Sequence, residues 1–321
     1  MRKSVLDSHK AAVSLSLSLN HIAAVGYDIA ELKKQLWPHD EVGPEVSEII
    51  RKKNKRLQNT RVIMTVFSLL AVVMSIPLSG DDSEFTVIFF IKNYDEMPKM
   101  ITLLFSTTMF FAKLYSMYAI NNMNFLTLFT IDDIASQMLL LRKKLNCIRK
   151  LNDEKEENYY DESYQNYIDE ILRSCISQHK IIFKYAKMAK TRLDTALLVV
   201  TSTGILCLAF VYLQAKIGHG IRFLINCFMT QVVTVIITYT FCNSGQLLID
   251  ECEKLHRDLC ECPWILWNRS NKVNYQIFLF HSKEAVSISS LSVTLNNNLL
   301  VIMLQRALSF IAFIEQVAAS H

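Results

Sequence analysis

The chain alternates between long stretches without a charge and short stretches dense in charge. Six stretches avoid Asp, Glu, Lys and Arg: Ala11–Tyr27, Val62–Leu78, Met100–Ile131 (broken only by Lys113), Thr195–Ala215, Phe223–Ile249 and Ala285–Gln305. A helix needs about 20 predominantly apolar residues to cross a bilayer, with a range of roughly 17–25. The last five stretches meet that length. The first is rich in serine and carries Asn20 and His21, which makes it a marginal span. A soluble helical protein can bury one or two such stretches, but five leave too few other helices to cover the core. The pattern predicts an all-α integral membrane protein with five clear spans and a partial N-terminal one.

A different period governs Tyr159–Lys190. Tyr164, Tyr167, Ile168, Ile171, Leu172, Cys175, Ile176, His179, Ile182 and Phe183 recur at helical spacing, with charges mostly between them. This predicts an amphipathic helix running into the next span and packing outside the membrane. Asn152–Asp161, with five acidic residues and one lysine, reads as a solvated turn.

Composition narrows the class. The 321 residues include 7 Gly and 5 Pro, and 51% are hydrophobic against 20% charged. Mean hydropathy is +0.22. Disordered chains are poorer in apolar residues, and βαβ enzymes need more turn residues. Seven scattered glycines make no phosphate loop. The net charge of +4 gives no reason to expect nucleic acid. The 8 cysteines read as reduced and mostly buried, since the Cys260–Cys262 pair lacks the partners of a zinc site. The acidic residues lie at span boundaries or in loops, and His179, His256 and His281 are isolated. No catalytic residue, cofactor or metal site is therefore expected.

Loop charge sets the expected topology. Arg51, Lys52, Lys53, Lys55, Arg56 and Arg61 precede a span with no acid among them, which places them in the cytoplasm. The loop Gly80–Pro98, with Asp81, Asp82, Glu84, Asp95 and Glu96, suits the outside. Alternation then puts 141–190 and 250–284 inside and the C-terminus outside. Arg142, Lys143, Lys144, Arg149 and Lys150 agree with the first of these. Lys113 is the one charge well inside an apolar stretch, and is read as a structural or interfacial residue that pairs across helices or snorkels.

Within the fifth stretch the chain reads Tyr239-Thr-Phe-Cys242-Asn-Ser-Gly245-Gln246, followed by Glu251-Cys252, Leu255 and Trp264. This resembles the C-terminal signature of insect odorant receptors, where a Cys-x-x-Gly-polar turn closes the sixth helix. Phe280-His281-Ser282-Lys283 and Met303-Leu304-Gln305-Arg306-Ala307-Leu308-Ser309-Phe310 are similar to segments around that family's seventh helix. The departures are Cys252, Asp258, Cys260 and Leu308, which replace the family's Ser, Ala, Tyr and Tyr. Gustatory receptors share the architecture and are the alternative. A transporter would carry internal repeats and Gly- or Pro-broken helices, and only Gly204 falls in the centre of a stretch.

The resemblance implies a seven-helix subunit of a ligand-gated, non-selective cation channel in the plasma membrane, assembled as a hetero-tetramer with the olfactory co-receptor. It makes the spans here the third to seventh helices. Residues 1–36 become the tail of the second helix, which implies that the first helix and most of the second are missing. Residues 37–141 become the third and fourth helices, 142–315 the cytoplasmic extension with the anchor and pore region, and 316–321 an outer tail. A small volatile odorant is expected among outer helix halves. Apolar and aromatic groups with one or two polar atoms suit such a ligand. Leu70, Val73, Met74, Phe105, Met109, Phe110, Phe228 and Gln231 are the candidates. The last helix is expected to line the pore through Ile302, Ser309, Phe313 and Gln316. Arg306 shares that face, in a wide vestibule or turned aside. Trp264 and Trp267 suit the anchoring core or an interfacial belt. The sequon Asn268-Arg-Ser270 falls in the cytoplasm, where it stays unmodified.

Overall fold

The computed structural model describes residues 31–74, 99–154, 161–217, 221–284, 286, 288–290 and 293–319. The marginal stretch Ala11–Tyr27 and the acidic 80–98 loop lie outside the described residues. The helices are α1 (Pro44–Met74), α2 (Lys99–Glu154), α3 (Glu162–Ile217), α4 (Ile221–Cys260), α5 (Arg269–Ser282) and α6 (Asn298–Ala319). A 3-10 turn, Trp264–Leu266, joins α4 to α5. A short antiparallel hairpin, β1 (Ser289–Ser290) and β2 (Val293–Thr294), precedes α6, with Ser289 opposite Thr294. The chain is mostly helical, as the sparse glycine and proline predict.

Helix ends follow local chemistry. Gly43 sits at φ 114°, which only glycine adopts freely, and Pro44 opens α1, where a missing N–H costs nothing. Asp161 precedes α3, and its carboxylate accepts the Ser163 N–H at 3.3 Å. Asn268 caps α5 by accepting the Asn271 N–H at 2.8 Å. The sequon asparagine therefore already has a structural task.

Two expectations about boundaries need correction. The stretch Ala285–Gln305 is not one helix. Its first half holds the hairpin, closed by Leu295 N–H donating to Ile288 O at 2.8 Å, and α6 starts only at Asn298. It then runs past Arg306 and Glu315 to Ala319, because single charges at a helix surface do not break it. Nor does a turn interrupt the chain at Cys242–Gly245. α4 passes through that motif and ends at Cys260.

The chain divides into two compact units. Among the described residues, the first draws on 31–48 and on those within 133–192 and 248–286. On α2, Ile134, Met138, Leu141, Leu145 and Ile148 are buried at three- and four-residue spacing. On α3, Ile168, Leu172, Cys175, His179 and Ile182 do the same, which matches the predicted amphipathic face, although Tyr167 stays exposed. Tyr275 of α5 lies between the two tryptophans, stacked on Trp264 and edge-on to Trp267. Its hydroxyl donates to Leu259 O at 2.7 Å. Gln165 ties α5 to α3. Its carboxamide oxygen accepts from Asn268 N–H (2.8 Å) and Asn271 Nδ2 (3.1 Å), and its own N–H donates to Leu266 O (3.3 Å). Burial pushes the Cys175 thiol up to about 12 and that of Cys252 up to about 11, so both stay protonated and unreactive.

His179 sits edge-on to Phe278, with Phe183 beside it. Burial first, and then the neighbouring His281, lower its pKa to about 4. The unfolded chain takes up this proton near pH 6.5 and the folded chain only near 4. The histidine's contribution is thus complete above pH 6.5 and is lost as pH falls toward 4, at about 1.4 kcal/mol per pH unit. Thermal unfolding followed between pH 7 and 4 is expected to steepen below 6.5, and His179→Phe is expected to flatten that slope.

Among the described residues, the second unit draws on those within 49–132, 193–247 and 287–321. Lys53 of α1 pairs with the buried Asp132 of α2 at 2.8 Å. Tyr212 of α3 donates to Glu315 of α6 at 2.7 Å. Two glycines mark close approaches. A Cβ at Gly204 would meet the end of Met303, and one at Gly245 would meet the backbone oxygen and Cγ of Leu295.

Candidate functional site

A cleft of about 120 Å³ opens between α1 and α2 in the second unit. Arg61, Met64, Thr65, Ser68, Leu69 and Val72 line one side. Leu114, Met117, Tyr118, Asn121, Asn122 and Phe125 line the other. Each set repeats at three and four residues, so one face of each helix forms a wall. Met64, Ser68 and Val72 are buried, while Leu69 and Tyr118 are exposed at the rim. Asn121 Nδ2 donates to Ser68 Oγ at 3.0 Å. At one end, Arg61 donates to Asn122 Oδ1 at 3.2 Å and its guanidinium lies 4.5 Å from the centre of the Phe125 ring.

Of the eight expected ligand residues, the four whose side chains are described, Leu70, Phe110, Phe228 and Gln231, do not line this cleft. Leu70 is exposed beside it on α1. Phe110 makes an edge contact with Phe111. Phe228 is 64% exposed on α4. The side chains of Val73, Met74, Phe105, Met109 and Lys113 are outside the described residues. Gln231, one turn from Phe228, is different. Both its amide atoms are shielded from solvent and find no partner among the described residues. A buried unsatisfied amide costs about 1–3 kcal/mol. Gln231→Leu is expected to keep or slightly raise thermal stability, because it removes that cost. Thermal unfolding of the two forms in detergent checks this.

α6 packs on one narrow seam. Leu299, Met303, Ala307 and Ile311, four residues apart, are buried. Leu304, Leu308, Phe313 and Val317 are exposed, and only 11% of the apolar window is buried. Of the expected pore residues, Ser309, Phe313 and Gln316 are exposed and Ile302 is partly covered. Arg306 is also exposed, and Ser309 Oγ is turned back onto Gln305 O at 2.9 Å. Among the described residues, Phe228–Cys260 and Asn298–Val317 are the two helical segments long and apolar enough to cross a membrane. No group of potential metal ligands occurs among them.

Sequence reasoning missed Arg61, Ser68, Tyr118, Asn121 and Asn122 as lining residues. The signal was the adjacent asparagines inside an otherwise apolar stretch.

The helical architecture is that of an insect olfactory receptor. The structure of olfactory receptor OR5 from Machilis hrabei in complex with eugenol matches with a TM-score of 0.56 and 12% identity, over 84% of this chain and 68% of that one. Another structure of the same receptor matches with a TM-score of 0.57 and 12% identity, over 83% and 67%. The profile of the 7tm odorant receptor family matches residues 17–307, and the chain belongs to that family. No curated protein sequence matches it.

Proposed function

We propose that this odorant receptor is a subunit of a ligand-gated, non-selective cation channel in the plasma membrane, multi-pass with its C-terminus outside. It assembles with the olfactory co-receptor into a hetero-tetramer. The observation that carries this reading is α6, a 22-residue apolar helix fastened within its own chain along a single seam. Such a helix needs other surfaces around it, and lipid, neighbouring subunits and a pore together supply them. Ile302, Ser309, Phe313 and Gln316 form the pore-facing stripe, where Phe313 narrows the path and Gln316 wets it. Residues 142–315 carry the anchor and pore region. The odorant is small and volatile and lies among outer helix halves with Gln231 as its polar contact. The eugenol complex of the similar Machilis hrabei receptor supports a ligand of this size. Family membership supports a receptor rather than an enzyme.

Co-expression with the co-receptor in oocytes is expected to give odorant-evoked cation current, with Phe313→Ala raising the leak between stimuli. Confirmed surface delivery without current across a broad odorant panel would refute the channel role. Release of the chain by alkaline carbonate would refute membrane insertion.

A further inference from the structure

The α1–α2 cleft differs from a pocket for a neutral volatile, because its mouth holds a cation. Among the described residues no carboxylate lies within ion-pair distance of Arg61, whose contacts are Asn122 and the Phe125 ring. One of its five N–H donors is used, and the planar fork left over suits a phosphate. Arg51, Lys55 and Arg56 precede it on α1, exposed and likewise without an acidic partner among the described residues. Beyond Arg61 the lining turns apolar through Met64, Leu69, Val72 and Leu114. The path from residue 61 to residue 72 spans about 16 Å of helix, close to half of the ~30 Å hydrocarbon core. Cationic mouth, apolar floor and one-leaflet length together describe a single kind of molecule.

We infer that this cleft binds an anionic phospholipid of the cytoplasmic leaflet, with its phosphate at Arg61 and one acyl chain along the floor. The inference rests on the membrane topology proposed above, in which the basic start of α1 faces the cytoplasm. The anionic leaflet concentrates the lipid at these cations, a net negative headgroup is favoured there over one whose phosphate is offset by its own choline cation, and Asn122 and Phe125 hold the Arg61 guanidinium in place.

The test uses the full chain, purified in mild detergent and examined by native mass spectrometry. Phosphatidylserine and phosphatidylcholine with identical acyl chains are added in competition. Phosphatidylserine is expected to be retained about ten-fold better. Arg61→Gln removes that preference, Arg61→Lys keeps part of it, and the Lys55→Gln/Arg56→Gln pair keeps most of it. Leu69→Trp, which fills the cleft from its rim, lowers retention of both lipids. Equal retention of the two lipids by the wild type overturns the inference, as does a preference that survives Arg61→Gln. Complete displacement by tail-free glycerophosphoserine at equal concentration also overturns it, by showing a site for headgroups alone. Carbonate extraction of the same membranes separates the two levels. A chain that stays in the membrane without lipid preference sinks only the lipid site, whereas a released chain sinks the topology beneath it.

Discussion

Alanine at Gly245 is expected to destabilise the receptor by about 3 kcal/mol, at the upper end of overpacking costs. The new methyl would collide with the backbone oxygen and Cγ of Leu295, at the closed end of the hairpin before α6. A backbone carbonyl cannot rotate away as a side chain can, so α4 or the hairpin must shift. The helix gains only about 1 kcal/mol from replacing glycine by alanine, which does not offset the clash. Gly204→Ala is the internal control. Its methyl meets the flexible end of Met303, which can move, so the change is expected to be near neutral. Fluorescence-detected size exclusion after heating in detergent compares the two. Equal melting temperatures for both variants would mean that the hairpin does not depend on close approach at Gly245.

The second large effect is expected at Glu251 in the first unit. Its carboxylate is buried and faces Arg142 Nε at 3.1 Å and Lys254 Nζ at 3.1 Å. The contact with Arg142 is one of charge, its angle being poor for a hydrogen bond. Removing one partner of a buried pair costs about 3–5 kcal/mol, because the other charge is left out of water without compensation. Arg142 is only 19% exposed, so Glu251→Ala should lower folded yield sharply. Replacing both, Arg142→Met with Glu251→Leu, is expected to restore most of the loss, since a packed apolar pair avoids desolvation. If the double variant is as unstable as Glu251→Ala, the charge pair itself is required.

The parts of this fold that were legible in the sequence share one property, a polar side to contrast with an apolar one. The buried face of α3 could be read because charges fill the gaps between Tyr164 and Ile182. Where a helix is apolar all round, the period vanishes. Residues 62–74 of α1 present valine, leucine and methionine on every side, so nothing favoured Leu69 and Val72 over Leu70 and Val73. The pattern alone therefore could not say which side of α1 lines the cleft. The boundary of α6 failed for the opposite reason. Absence of charge marks a span poorly here, because it joins the serine-rich hairpin to the helix, whose extension past Arg306 is legible only from the spacing through Gln316.

The single seam of α6 has a consequence for how variation is tolerated. A substitution at Leu304, Leu308 or Phe313 leaves the lone polypeptide's own folding almost untouched, because those side chains touch little within it. Its effect is felt only when the helix acquires companions. Under the proposed assembly, damage there would pass unnoticed through synthesis and emerge as subunits that mature yet fail to join, so screens for intact chains and screens for working complexes would rank the same variants differently.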